Sequence, residues 1–242
     1  MTDELAQVVR VELEGQRFYR RAAESTPHNR PSVTSILSSW TPPALKRWFI
    51  NKSATEIAKR SEETAKVGSA GHEAIEKHQA GETYEDTPEN RSFVERWKGL
   101  VTQYDIVPQK QEFMLVSDDY GFGGQLDAEV TLTDNKGCRK KYIADLKTGQ
   151  TGSAGMQLAA YRMAWKENFD GEIGICCFQI HRDGRPAKAI FYHDPNWWFD
   201  SFVGLLVNWR RENFQSLKAM SWNWLEKDFL GTWVDTKRKE IK

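Results

Sequence analysis

Two carboxylates and a lysine lie on neighbouring segments in the middle of the chain. Asp127 falls within GGQLDAEVTL, and Asp145 and Lys147 fall within the next segment, CRKKYIADLKTG. Both segments have the composition of β-strands, and the turn residues at 134–137 predict that the strands are antiparallel neighbours. Side chains two residues apart on a strand share a face, so we expect Asp145 and Lys147 to lie together near Asp127 while Leu146 points into the core.

These side chains suit the hydrolysis of a phosphodiester. Carboxylates hold Mg²⁺ or Mn²⁺, and such an ion polarises the phosphate and makes water a better nucleophile. The ammonium group of Lys147 can orient the attacking water and offset the charge that grows on the phosphoryl oxygens. A single ion would be bound directly by Asp127 and Asp145, whereas two ions would lie roughly 3.5–4 Å apart and share a carboxylate.

A D-x-K triplet on its own is more often part of a solvated strand face than part of a site. Three features distinguish this one. The residues before Asp145 are apolar, which places its carboxylate at the edge of the core, where an unpaired charge is costly. GGQLD precedes it by one hairpin, and Gln157 and Tyr161 are four residues apart on one face of the next predicted helix.

The ordered run GGQLDAEV, IADLKTG and QLAAY resembles motifs II and III and the Q-x-x-x-Y element of RecB-type PD-(D/E)XK nucleases. The resemblance implies that both acids bind metal, that Lys147 is catalytic, and that the helix with Gln157 and Tyr161 supports the site and contacts DNA. It also implies an α/β fold with a restriction-endonuclease-like core, in which helices flank a mixed central sheet in the order α-β-β-β-α-β. Leu126 stands where the family name has proline, a departure that is frequent in this superfamily.

An upstream segment extends the resemblance. VGSAGHEAIE is similar to the family's G-x-x-x-H helix, whose histidine is a metal ligand, and His72 occupies the matching position after Gly68 and Gly71. The resemblance therefore implies that His72, Asp127, Asp145 and the backbone carbonyl of Leu146 bind the ion. A nitrogen ligand favours Mn²⁺ relative to an all-oxygen Mg²⁺ site. The alternative for His72 is an ordinary surface or core histidine.

Three glutamates are weaker candidates for the same site. Glu76 shares the helix face of His72 at i+4, Glu73 is one step off that face, and Glu112 opens the predicted strand EFMLVS. The alternative for each is a solvated side chain.

The N-terminal segment PSVTSILSSWTPPALKRWFINKSATE is similar to the start of phage RecB-like exonucleases and of the mitochondrial genome maintenance exonuclease group, so that the resemblance covers about Gln16 to Gln179. CRISPR-associated and helicase-linked members commonly carry a four-cysteine iron–sulfur cluster. This chain has only Cys138, Cys176 and Cys177, so we expect no cluster. A G-x-x-x-x-G-K-[ST] motif is absent from the sequence, so a motor would be a separate protein.

The remaining patterns predict one nuclease domain over residues 1–242. We divide it into an N-terminal hairpin and helical annex (1–62), a nuclease core (63–193) and a C-terminal helical segment (194–242). VRVEL and RFYR predict the hairpin, the prolines at 42 and 43 mark a break before a helix, and helix continues to about Gln79. An amphipathic helix, the strands IGICCFQI and AKAIFYH around a turn at Asp183-Gly184, and an aromatic helix from Pro195 to Met220 complete the pattern.

The charge balance gives no global attraction to a polyanion, because 34 basic residues are matched by 34 acidic residues, so any nucleic-acid site must be a local basic cleft. The candidates for DNA contact, each with a solvated charge or packed ring as its alternative, are Lys46, Arg47, Trp48, Arg139, Lys140, Lys141 and Arg162. The apolar runs are too short for a membrane span, and MTDELAQ lacks the order of a signal peptide. We therefore expect the cytoplasm of a bacterium or of a phage-infected host cell, and no membrane partner.

The sequence thus predicts a Mg²⁺- or Mn²⁺-dependent DNA exonuclease, or a nuclease with strong end preference, that serves recombination, repair or replication. Its expected partner is DNA, as single strands or duplex ends, together with a recombination or replication protein. Three alternatives remain open. The first is a structure-specific or restriction-type endonuclease on the same fold, the second a catalytically silent DNA-binding module, and the third a sugar- or protein-binding α/β domain.

Overall fold

The computed structural model describes residues 7–13, 15–25, 28–41, 43–149, 151–181 and 185–219. The strands in these ranges are β1 (Val8–Leu13), β2 (Gln16–Arg21), β3 (Arg30–Pro31), β4 (Val107–Ser117), β5 (Phe122–Thr133), β6 (Arg139–Lys147), β7 (Gly174–Gln179) and β8 (Lys188–Phe191). The helices are α1 (Val33–Ser38), α2 (Pro43–Ile50), α3 (Ala54–Gln79), α4 (Pro88–Tyr104), α5 (Ala154–Asn168) and α6 (Pro195–Ala219).

A small antiparallel sheet forms from the N-terminal hairpin. β1 pairs with β2 from Val8↔Arg21 to Leu13↔Gln16, which confirms the predicted hairpin, and β3 adds to the other edge of β2. Gly15 at the turn has φ +74, a conformation that suits glycine. The small sheet packs on the larger one where Tyr19 meets Gly123, because a Cβ on Gly123 would lie 2.7 Å from Cβ of Tyr19.

The larger sheet has five strands in the order β4-β5-β6-β7-β8. β4, β5 and β6 form the predicted antiparallel meander, and β8 is antiparallel to β7. β7 runs parallel to β6, which requires a crossover, and α5 supplies it. The chain is therefore an α/β protein with a mixed five-stranded sheet flanked by helices, and the expectation is confirmed at that level.

A hydrophobic core lies on each face of this sheet. On one face the strands pack against α1, α5 and α6 in what we call the α5 core, which includes Phe18, Ile36, Leu126, Ile143, Leu158, Cys177, Phe202 and Trp209. On the other face they pack against α3 and α4 in what we call the α4 core, which includes Ile75, Phe93, Trp97, Val130, Ala144, Cys176 and Phe178. β6 and β7 supply alternate residues to the two cores, as period-2 alternation requires.

The long helix α3 begins at a capping box. Oγ of Ser53 accepts a hydrogen bond from the amide of Glu56 at 3.3 Å, and Oε2 of Glu56 accepts one from the amide of Ser53 at 3.0 Å. These bonds satisfy two amides that the helix itself cannot pair. The next helix, α4, starts in the same way, with Thr87 accepting from the amide of Asn90 and Pro88 in the first turn.

Some sequence predictions lie outside the described residues. These are the turn at Asp183-Gly184, the side chain of Trp48 and the C-terminal segment 220–242. The aromatic helix is confirmed as far as Ala219. Within the described ranges, none of the helices combines the length and the apolar character needed to cross a bilayer.

Candidate active site

Asp127 lies where β5 separates from β6. The β5–β6 ladder runs from Thr133↔Arg139 to Ala128↔Ala144. Asp127 is the neighbour of Ala128 and the first residue of β5 outside the ladder. Oδ2 of Asp127 accepts a hydrogen bond from the amide of Leu146 at 3.2 Å. The carboxylate thus takes the place of a backbone acceptor, which fixes it in the opening between the two strands.

The alternation of β5 is interrupted at the same residue. Leu126 belongs to the α5 core, whereas Ala128 packs against the α4 core, although both positions are even-numbered. On the neighbouring strand β4, the residue that faces this irregularity is Glu112, whose φ of 46 is in the left-handed region. A non-glycine residue rarely adopts that conformation, and such residues cluster at functional sites.

Asp145, Lys147 and Gln157 form a connected set on the α5 side of the sheet. Asp145 is 2 % exposed, and Nζ of Lys147 lies 2.9 Å from each of its oxygens. Lys147 also donates to Oε1 of Gln157 at 3.2 Å, and Nε2 of Gln157 lies 3.4 Å from Oδ1 of Asp145. Among the described residues, Oδ2 of Asp145 accepts no hydrogen bond of good geometry in spite of the nearby ammonium group. It is therefore a buried anionic oxygen with capacity for a further cation.

Burial sets the charge behaviour of this pair. It raises the pKa of Asp145, the nearby Asp127 raises it further, and Lys147 opposes the shift. Burial alone would lower the pKa of Lys147, but the charge and hydrogen bond of Asp145 outweigh it and leave that pKa raised. Lys147 consequently stays a cation next to the acids.

His72 approaches the same point from α3, on the other side of the sheet. Its Nε2 lies 3.1 Å from the carbonyl oxygen of Leu146 and 3.6 Å from Oδ2 of Asp127. Its Nδ1 lies 2.9 Å from Oε1 of Glu76. The structure therefore brings His72, Asp127 and the Leu146 carbonyl together, as the resemblance implies.

Two glycines let α3 come this close. A Cβ on Gly71 would lie 2.8 Å from the ring of Phe93 on α4, and a Cβ on Gly68 would lie 3.1 Å from Oγ1 of Thr148, the residue after β6. Any side chain at Gly71 would collide with the core, so the helix could not keep this position. Gly68 and Gly71 therefore permit the close approach of α3 to β6 and α4.

Tyr161 supports the site from behind. It is 4 % exposed, and its ring lies against Gly124, where a Cβ would be 2.5 Å from Cε1. Gln157, one turn earlier on α5, is also buried and bonds to Lys147 and Asp145. In this structure both residues are positioned to hold the acids and the lysine in place rather than to meet a ligand at the surface.

A cavity of about 450 Å³ opens between α3 and the sheet beside these residues. Its lining includes His72, Asp127, Asp145 and Leu146, the carboxylates of Glu73, Glu76, Glu82 and Glu112, and the rings of Trp97 and Phe178. The three weaker candidates from the sequence all border it. Glu73 forms an ion pair with Lys77 at 2.6 Å, whereas Glu76 bonds to His72.

The donor atoms suit a divalent cation. Carboxylate and carbonyl oxygens with one imidazole nitrogen form a set that binds Mg²⁺ or, better, Mn²⁺. Among the side chains that the structure describes, no three of His, Cys, Asp or Glu are arranged to hold an ion by themselves. His72 and Asp127 lie at the backbone oxygen of Leu146, which is the third donor at that point, and Oδ2 of Asp145 is the further oxygen that the resemblance adds.

The basic candidates on β6 lie away from the acids. Arg139 forms an ion pair with Asp105, Lys140 lies 3.3 Å from Asp134, and Lys141 lies 3.4 Å from Glu129. Arg139 is six residues from Asp145 along the strand, or roughly 20 Å at 3.3 Å per residue. Arg139 and Lys140 therefore neutralise acids beyond the far end of β6, and Lys141 neutralises Glu129 on β5. A local basic run in a sequence does not reveal such pairing, because the partners come from other elements.

Of the other basic candidates, Arg162 is bonded away from the acids. Arg162 donates to the carbonyl oxygen of Ile173 at 2.8 Å and lies 3.5 Å from Glu172, so it stabilises the connection from α5 to β7. Lys46 and Arg47 are exposed on α2.

Two features of the site were not predicted from the sequence: the contact of Tyr161 with Gly124 and the bond of Glu76 to His72. The i, i+4 spacing was the only signal for the second.

Neither a model of a known protein family nor the sequence of a curated protein matches this chain. The geometry at the ends of β5 and β6 therefore carries the functional assignment.

Proposed function

We propose that this chain is a divalent-metal-dependent DNA nuclease of the RecB-like PD-(D/E)XK type, and that it acts as an exonuclease in recombination, repair or replication. The observation that carries the proposal is that His72 and Asp127 lie against the backbone of Leu146, the residue between the bonded pair Asp145 and Lys147. The element order α4-β4-β5-β6-α5-β7 supports a restriction-endonuclease-like core, because it is the α-β-β-β-α-β order of that fold.

His72, Asp127, Asp145 and the Leu146 carbonyl would hold Mg²⁺ or Mn²⁺, which when bound polarises a phosphate and lowers the pKa of water. Lys147 has a separate task. Its ammonium group is fixed between Asp145 and Gln157, so it presents a positive charge at a set position beside a phosphate. There it orients the attacking water and stabilises charge on the phosphoryl oxygens.

The supporting residues keep the lysine in that position. Gln157 accepts a hydrogen bond from Lys147 and donates towards Asp145, so Lys147 and Asp145 share one partner. Tyr161 fills the space between α5 and β5, and its contact with Gly124 sets the distance between them. Burial of these groups excludes water from one side of Asp145, which strengthens its electrostatic interactions.

Cleavage of end-labelled DNA tests the proposal. Wild-type protein with Mg²⁺ or Mn²⁺ should degrade labelled single strands or duplex ends, and EDTA should stop the reaction. Lys147→Ala should slow cleavage by about 10²–10³-fold, the usual loss for a group that stabilises transition-state charge. Lys141→Ala is the matched control, because it removes the same charge from the far end of the same strand.

Covalently closed circular DNA separates the alternatives. An exonuclease leaves the circle intact, whereas a structure-specific or restriction-type endonuclease opens it. DNA binding without any cleavage by wild type would replace the proposal with a silent binding module. Full activity of Lys147→Ala would also overturn it.

A further inference from the structure

Glu76 is an acid of the cavity rim that the fold holds against His72. Its Oε1 lies 2.9 Å from Nδ1 of the imidazole, one turn away on the same helix. Glu73, one residue after His72, is instead bonded to Lys77. The two neighbouring glutamates of α3 therefore have different partners, and the partner of Glu76 is a residue that faces the acids of β5 and β6.

The position of the imidazole is fixed at three points. The Gly68 and Gly71 contacts fix the backbone of α3 against Thr148 and Phe93. The Glu76 bond fixes the ring at Nδ1, and Nε2 then faces the Leu146 carbonyl and Asp127. A carboxylate accepts hydrogen bonds, so Nδ1 is the nitrogen that carries a hydrogen in this pair. Nε2 faces the Leu146 carbonyl, which also only accepts, so Nε2 would give its lone pair to a cation once one is bound there, while Nδ1 keeps its hydrogen for Glu76.

A carboxylate on the outer nitrogen of a ligating histidine does two things. It holds the ring plane and tautomer, and it makes the inner nitrogen a stronger donor. Glu76 has that relation to His72, whereas Asp145 and Lys147 are bonded to each other and to Gln157. A better nitrogen donor helps Mn²⁺ more than Mg²⁺, because Mg²⁺ prefers oxygen ligands.

We infer that Glu76 is a positioning residue that orients His72 towards the cation and thereby favours Mn²⁺ over Mg²⁺. The inference rests on the proposed function, since it concerns the same cation site. It assigns Glu76 no direct contact with the ion or with DNA.

Calorimetric titration of the full chain with Mn²⁺ alone and with Mg²⁺ alone tests this role. Glu76→Ala should weaken Mn²⁺ binding by about 10–100-fold, the usual effect of removing such a partner. Mg²⁺ binding should weaken less, so the preference for Mn²⁺ should fall. Glu76→Gln keeps an acceptor oxygen but no charge, so it should keep the orientation of His72 and lose less Mn²⁺ affinity than Glu76→Ala. Glu62→Ala, an exposed position on the same helix, is the control for charge and helix content.

A double-mutant cycle identifies the route of the effect. In a His72→Ala background, Glu76→Ala should cause no further loss, because its partner is already absent. Two results would overturn the inference and leave the proposed function standing. One is equal Mn²⁺ affinity of Glu76→Ala and wild type. The other is that Glu76→Ala lowers Mn²⁺ affinity as much in the His72→Ala background as in wild type. Failure of wild type to bind either ion would overturn both.

Discussion

The ring of Tyr161 packs directly on Gly124. A Cβ added to this glycine would lie only 2.5 Å from Cε1 of the ring. The ring of an α5 residue thus rests on bare β5 backbone three residues before Asp127. Gly124→Ala should destabilise the fold by about 1–3 kcal/mol, the usual cost of overpacking. Cleavage should also fall, because the displaced strand carries Asp127. Denaturant unfolding and the labelled-DNA assay measure the two effects.

Gly99→Ala is the matched control for that change. Gly99 lies within α4, is exposed, and a Cβ there would meet nothing within 4 Å. Alanine should stabilise the helix by about 0.5–1 kcal/mol and leave cleavage unchanged. If Gly124→Ala proved as stable and active as wild type, the proposed packing of Tyr161 on Gly124 would be wrong.

Gln157→Ala should remove the hydrogen bonds that hold Lys147 and Asp145 in place. The variant loses the acceptor for the ammonium group and the donor towards Asp145. We expect cleavage to slow by about 10–100-fold, as for other partners of reacting groups. Single-turnover kinetics with saturating ion would measure the change. Lys166→Ala, an exposed change near the end of the same helix, should leave the rate unaltered; a rate for Gln157→Ala equal to this control would contradict the prediction.

Ion binding should depend on pH through Asp145. Burial raises the pKa of this carboxyl above its usual 3.8, so protons compete with the ion at higher pH than they would at an exposed aspartate. Only the ionised carboxylate of Asp145 binds the ion, so Mn²⁺ affinity should fall as pH decreases through the raised pKa of Asp145. Titrations at several pH values, repeated with His72→Gln to remove the imidazole, measure it. Affinity that stayed constant down to the usual pKa of aspartate would contradict this prediction.

The basic end of β6 should take no part in cleavage. Lys140 and Lys141 are paired with Asp134 and Glu129, at the opposite end of the strand from Lys147. The double variant Lys140→Gln, Lys141→Gln should cleave DNA at the wild-type rate over a range of salt concentrations. A lysine that binds a phosphate contributes about one to the slope of log affinity against log salt concentration. A shallower slope for the double variant would show that this end does bind DNA.

Local patterns predicted most elements of the fold because strands, turns and caps depend on neighbouring residues. The segment GGQLDAEVTL corresponds to β5, the turn at 134–137 joins it to β6, and the helix with Gln157 is α5. The acids and the lysine could be placed together because they follow from strand alternation and one hairpin. The order of all five strands did not follow from such patterns.

The parts that could not be predicted depend on contacts between distant segments. The alternation of β5 breaks at Asp127, where its carboxylate replaces a ladder partner, and nothing in the local sequence marks the break. Arg139 is paired with Asp105, which lies 34 residues earlier. A cluster of basic residues therefore resembles a DNA-binding surface in the sequence even where the fold neutralises it.

Because the site lies between two cores, ion binding should affect the local unfolding of α3. His72 reaches Leu146 and Asp127 from a helix that packs in the α4 core, whereas Asp145 and Lys147 bond to α5 on the other face. An ion held by both groups would fasten the two layers to each other across the sheet. Local opening of α3 would then require release of the ion, so amide hydrogens around His72 should exchange with solvent more slowly when Mn²⁺ is present.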